Sequence, residues 1–156
     1  MNATTNGRLN APRLAVSCAV LRGDEVLVAR RGNAPAKGRW AFAGGSVELG
    51  ETLAEACARE VREETGVVIR PPRFVRHHEV VERKDDGGVS VHFVLACFVA
   101  DAASDAEPVA ADDAVEALYV SFGDLTRLDP LPSCFDVLRA AGLLPAEGEG
   151  RSHTQA

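Results

Sequence analysis

GSVELGETLAEACAREVREETGV, running from Gly45 to Val67, is the stretch on which the reading of this chain turns. Its spacing is Gly45, five residues, Glu51, seven residues, then Arg59-Glu60-Val61-Arg62-Glu63-Glu64-Thr65-Gly66-Val67. An α-helix turns about 100° per residue, so Glu60, Glu63 and Glu64 fall within about a third of the circumference. Carboxylates three and four residues apart repel by a few tenths of a kcal/mol per pair, roughly. Such a stripe suits a hard divalent cation with oxygen ligands, Mg²⁺ or Mn²⁺, held by carboxylates together with substrate phosphates. The plain alternative is a solvated acidic face, and Glu60 to Glu64 alone would be read that way.

The flanking residues predict how this helix begins, packs and ends. Thr52 with Glu55 forms a capping box, placing the helix start at Leu53. Ala54, Cys57, Ala58, Val61 and Thr65 make an apolar stripe expected to pack on a sheet, with the glutamates at its edge. Gly66 supplies the left-handed conformation that closes a helix. Ahead of it, Gly44-Gly45 and Gly50 let the backbone turn sharply and approach a ligand closely.

With its surroundings, the run resembles the Nudix box, whose fixed positions are all filled here in order. The lead-in Gly38-Arg39-Trp40-Ala41-Phe42-Ala43-Gly44-Gly45 is similar to the Gly-x-Trp-x-x-Pro-Gly-Gly of that family, departing at Ala43. The resemblance covers roughly residues 13–141. It implies an α/β (α+β) Nudix fold, a mixed β-sheet sandwiched between helices. It also implies that Glu60, Glu63 and Glu64 bind the metal, with the Gly44 carbonyl completing the coordination. By the same resemblance Arg59 orients the cluster, partnered by Glu51.

Length and composition agree with one enzyme domain. The chain has 156 residues, 46% of them hydrophobic, enough for a proper core. Its net charge of -6 argues against binding a nucleic-acid backbone, which needs a basic footprint. No apolar run reaches the length of a membrane span, and the first dozen residues lack a signal-peptide core. Cys18, Cys57, Cys97 and Cys134 form no CxxC pair. We read the first three as small buried hydrophobes, which points to the reducing cytoplasm and away from zinc.

The organisation read along the chain is a flexible N-terminus (1–12), one domain (13–144) and a disordered tail (145–156). Residues 14–21 and 25–30 read as a hairpin about Arg22-Gly23-Asp24. Further strands are expected over 39–43, 74–82, 89–100 and 114–121, and short helices near 122–127 and 133–141. The loop before the box holds Arg30, Arg31, Lys37 and Arg39 close to Trp40 and Phe42. Arginines can grip phosphates and an aromatic face can stack on a base, which makes Arg30, Arg31, Lys37, Arg39 and Trp40 the candidate substrate contacts. A solvated loop with Trp40 in the core is the competing reading.

The resemblance implies hydrolysis of a phosphoanhydride by metal-activated water. The general base is then a box glutamate or a carboxylate from a later loop. Glu116, three residues before Tyr119, is the candidate, with Asp112 and Asp113 behind it; an ordinary exposed strand residue is the equal alternative. His77 and His78 alternate across a strand, and one of them can see the pocket. The closest likeness within the family is to ADP-ribose pyrophosphatases, through Arg30-Arg31-Gly32, a proline in the next loop, and Gly44-Gly45-x-Val47-Glu48-x-Gly50-Glu51. A small-molecule nucleotide substrate follows, ADP-ribose or a relative. The rivals are a nucleoside-triphosphate pyrophosphohydrolase and a non-catalytic nucleotide sensor. The intact acidic set and the lack of room for a DNA-binding domain favour an enzyme. Family members are often homodimers, but nothing in the sequence marks an interface.

Overall fold

The computed structural model describes residues 11–34 and 36–148. Most of the tail expected at 145–156, all but the last two residues of the N-terminal segment, and the loop proline Pro35 lie outside that range. Within it, Glu147 pairs with Arg139 at 3.3 Å.

Seven strands and two α-helices follow one another as β1 (Arg13–Arg22), β2 (Glu25–Arg31), β3 (Trp40–Ala41), β4 (Ala43–Ser46), α1 (Leu53–Thr65), β5 (Arg73–Arg83), β6 (Val89–Asp101), β7 (Ala114–Ser121) and α2 (Pro132–Ala140), with a short 3-10 helix at Leu125–Leu128 before α2. The strand order is β3-β2-β1-β6-β5, with β4 added to β1 and β7 to β2. β1 and β6 run parallel and the other pairs antiparallel, giving the expected mixed sheet. Arg22 faces Glu25 across the two-residue turn that the sequence marked. The single strand expected over 39–43 is two, because the chain leaves β2 after Ala41 and joins β1 from Ala43.

Alternation along β1 divides the core between the two faces of the sheet. Val16, Cys18 and Val20 pack with Cys57 and Val61 of α1, whereas Ala19 joins Val26, Trp40 and Phe42 against Leu125, Val137 and Leu138. Each fully buried valine or leucine contributes roughly 1.5–3 kcal/mol relative to exposure. All four cysteines are buried and unpaired with one another by disulfides. Among the described residues, no helix is long and apolar enough to cross a membrane.

α1 begins and ends where expected. Thr52 and Glu55 make the reciprocal capping box, and Gly66 closes the helix at φ 71° with its N–H donating to the Arg62 carbonyl. Its buried stripe, however, is Ala56, Cys57, Val61 and Thr65, while Ala54 and Ala58 are exposed. The helix is rotated relative to the expected stripe. Because Ala56 is buried, the residues four and eight positions on, Glu60 and Glu64, turn inward with it. Thr65, the one fully buried polar side chain among the described residues, donates to the Val61 carbonyl at 2.6 Å and accepts from the Val67 N–H.

Candidate active site

α1 comes unusually close to β4. Gly44 lies opposite Ser17 on β1, where a Cβ would strike the Val16 carbonyl; a Cβ on Gly45 would strike the Glu60 carboxylate. Gly44 is therefore what lets β4 lie against β1, and Gly45 what lets the Glu60 carboxylate rest against this strand. Gly45→Ala should displace Glu60 and lower turnover by about 10²-fold, the cost of a misplacement of about 1 Å. Steady-state rates beside an unchanged circular dichroism spectrum check this; a normal rate would remove Glu60 from the working site.

Arg59 gathers the carboxylates. Its Nε and Nη2 donate to both oxygens of Glu51, at 3.0 and 2.6 Å, and Nη2 also donates to the Ser46 carbonyl at 3.0 Å. Nη1 donates to Glu60 at 2.9 Å and to Glu63 at 3.2 Å. The bidentate fork is a rigid geometry that lysine cannot reproduce. The guanidinium holds the Glu51 carboxyl below its ordinary range. Its own proton is bound more tightly, through the Glu51 hydrogen bond first. One arginine thus ties the loop before the helix to the helix itself.

The three box glutamates take different positions. Glu60 and Glu64 line a cavity of about 840 Å³, together with Gly44 and Gly45. Glu63 does not; its side chain is 46% exposed on the Arg59 side of the helix. Burial raises the proton affinity of Glu60, against the pull of Arg59. Glu64 is pushed up to about 8, by burial first and then by the charge of Glu60, while a hydrogen bond from the Gly44 N–H and the Arg31 charge oppose the rise.

Two partly buried carboxylates side by side fit a hard cation, whose charge would favour ionising both. Among the described residues no three His, Cys, Asp or Glu side chains come close enough together to hold one unaided. An ion here would draw on Glu60 and Glu64 and complete its sphere from backbone, substrate and solvent oxygens, as Mg²⁺ usually does.

Asp112 and Asp113 line the cavity as well. The loop that carries them is fastened to the C-terminal end of α1: the Val109 N–H donates to the Thr65 carbonyl and the Ala111 N–H to the Glu64 carbonyl, both at 2.9 Å. On its other side the Asp113 carbonyl accepts the Gly32 N–H at 2.9 Å, and its carboxylate accepts from the Asn33 amide at 2.6 Å. Asp112 sits at φ 54°, a left-handed backbone that costs energy for any residue with a Cβ. These bonds hold it there, and they place its charge where Glu60 feels it.

Of the basic loop, Arg30 and Arg31 line the cavity, and Asn33 joins them. Lys37 and Arg39 do not. Lys37 is exposed, and Arg39 binds Asp129 and the Pro130 carbonyl, at 3.2 and 2.8 Å. Trp40 is 7% exposed within the α2-side core, away from the lining, where its own pairing with Arg30 in the sheet holds it. Glu116 pairs across the strands with Arg30, accepting from its Nε at 3.2 Å, and stands outside the lining. His78 lines the cavity and His77 does not. Arg13, Ser133 and Asp136 line it too, though no local motif in the sequence announces them.

This site has known relatives. A family model described as the NUDIX domain matches residues 11–136, and the chain belongs to that family. It is 33% identical over 117 residues to an ADP-ribose pyrophosphatase of Methanocaldococcus jannaschii, covering 75% of this chain and 66% of that protein. It is 48% identical over 66 residues to the NAD-capped RNA hydrolase NudC of Stutzerimonas stutzeri, covering 41% of this chain and 24% of that one. The matched stretches thus span a quarter to just under two thirds of those relatives' own lengths. Among solved structures, a bifunctional NMN adenylyltransferase/ADP ribose pyrophosphatase of Francisella tularensis, complexed with AMP and an Mn ion, superposes with a TM-score of 0.64 at 26% identity, over 83% of this chain and 40% of that one.

Proposed function

We propose that this chain is a metal-dependent pyrophosphohydrolase that cleaves a nucleoside diphosphate linked to a second group, with ADP-ribose or a close relative as substrate. The observation that carries the reading is the inward-turned Glu60–Glu64 pair, set against Gly44-Gly45 at the end of a cavity that also holds Arg30 and Arg31. Names of relatives at 33% and 26% identity lend support. Mg²⁺ or Mn²⁺ at Glu60 and Glu64 would activate water and neutralise charge on the pyrophosphate.

The chain's own residues supply the rest. Arg30 and Arg31 take up phosphate charge, with Arg30 leaving Glu116 to do so or holding both. Asp112 and Asp113 line the same cavity as the glutamates, where either can receive the proton of the attacking water. That moves the base from Glu116 to the loop behind it. Asp112→Asn should lower turnover by about 10²-fold or more, since asparagine tolerates the left-handed backbone and removes the basic oxygen. Glu116→Gln should stay near the wild-type rate. The reverse pattern would return the base to Glu116.

The test of the activity itself is a release assay with Mg²⁺ and with Mn²⁺ over ADP-ribose, NADH, sugar nucleotides and nucleoside triphosphates. AMP from ADP-ribose is the expected product. Preference for triphosphates would replace this substrate, and tight nucleotide binding with no turnover would replace the enzyme by a sensor.

A further inference from the structure

Far from the glutamates, the cavity has a second end built on three strands. Arg13, Ala15 and Ser17 of β1 share one face, opposite Phe93, Leu95 and Cys97 of parallel β6. His78 and Val80 of β5 continue the rows beyond Leu95 and Phe93. All of these belong to the cavity wall. Ser17 pairs with Gly44 beside the glutamates. Arg13 lies four residues further along the same strand, about 13 Å away at 3.3 Å per residue. That is a span one ribose and its base can cover.

The Arg13 guanidinium stands over the Phe93 ring, its central carbon 5.2 Å from the ring centre. Among the described residues no carboxylate lies within ion-pair distance of it. Every other arginine that lines the cavity has a charged neighbour or another recorded interaction. Arg13 is therefore a cavity-lining cation placed over an aromatic ring, in a wall that also holds Ala15, His78, Val80, Glu82 and Leu95. Guanidinium planes stack on nucleobases.

We propose that Arg13, backed by Phe93, is the base-stacking plate of this cavity and sets its preference for ligands bearing a nucleobase. This rests on the proposed nucleotide reading of the site and assigns the end of the cavity where the base lies. A plate of this kind discriminates by shape and not by charge alone, which separates it from a phosphate contact.

The test compares two ligands that differ by the base alone. AMP and ribose 5-phosphate are titrated calorimetrically into the full-length wild type, Arg13→Ala and Arg13→Lys, with Mg²⁺ present throughout. Wild type should bind AMP about ten- to a hundredfold more tightly than ribose 5-phosphate, the range expected for stacking one base. Arg13→Ala should erase most of that ratio with little change for ribose 5-phosphate. Arg13→Lys should erase it as well, because it keeps the charge and loses the plane. Equal binding of the two ligands by wild type would overturn the proposal, and so would a ratio that survives in Arg13→Lys. A base-selective ratio lost in both variants, alongside no turnover of any substrate, would retain the plate and discard the enzymatic reading.

Discussion

Glu64→Gln should abolish cation-dependent turnover, by at least about 10²-fold, the loss typical when one group stabilising the transition state is removed. The same substitution should raise the melting temperature of the cation-free protein. Glu64 is held against Glu60 in a partly buried position, and its proton affinity rises from the ordinary 4.5 to about 8. The folded protein therefore binds this proton more tightly than the unfolded chain between those values. Stability from the group is complete below pH 4.5 or so and declines as pH rises toward 8. Glutamine carries no charge at any pH and shows no such decline. The difference in melting temperature should thus widen across that interval and be largest at its alkaline end. Added Mg²⁺ should then stabilise wild type more than the variant, since a ligand of the folded state shifts the equilibrium by mass action. A variant that melts below wild type at pH 8 without cation would show that the carboxylate is satisfied by contacts of another kind.

The second large effect concerns Arg59. Removing it as Arg59→Ala leaves Glu51, Glu60 and Glu63 without their shared donor, and the Glu51 and Glu60 side chains are only 16% and 12% exposed. Unpaired carboxylates in such positions repel one another and lose hydrogen bonds that charge had strengthened. The variant should melt several degrees lower and turn over at about a hundredth of the wild-type rate or less, because Glu60 loses its fixed orientation. Arg59→Lys separates the two causes. It restores one positive charge without the fork, so it should recover part of the stability and little of the rate. Full recovery of rate by lysine would mean that charge at this position suffices and that the bidentate geometry is incidental.

Much of this was legible in the chain because the signals were local. The capping box, the closing Gly66 and the turn at Gly23-Asp24 are short-range rules, and each falls where expected. The mixed sheet followed from the family likeness. What local pattern could not supply was rotation and distance. A stripe read from Ala54 and Ala58 differs from the true one by a fraction of a turn, yet that fraction turns Glu60 and Glu64 inward and Glu63 outward. Glu116 and Trp40 were chosen for chemistry and spacing. Their actual places depend on strand partners far away in sequence, Arg30 for one and the α2-side core for the other. Arg13 carried no motif at all, and only the register of β1 on β6 brings it over Phe93.

The loop that carries Asp112 is attached to the end of α1 and the segment after it through main-chain donors at Ala111, Val109 and Ala103, whose partners are the carbonyls of Glu64, Thr65 and Val68. Such bonds are indifferent to side-chain identity. Losing a residue between Val109 and Asp112 would move both carboxylates by a full step of backbone, whatever the side chains there. The placement of the second acidic wall is written in the loop's length.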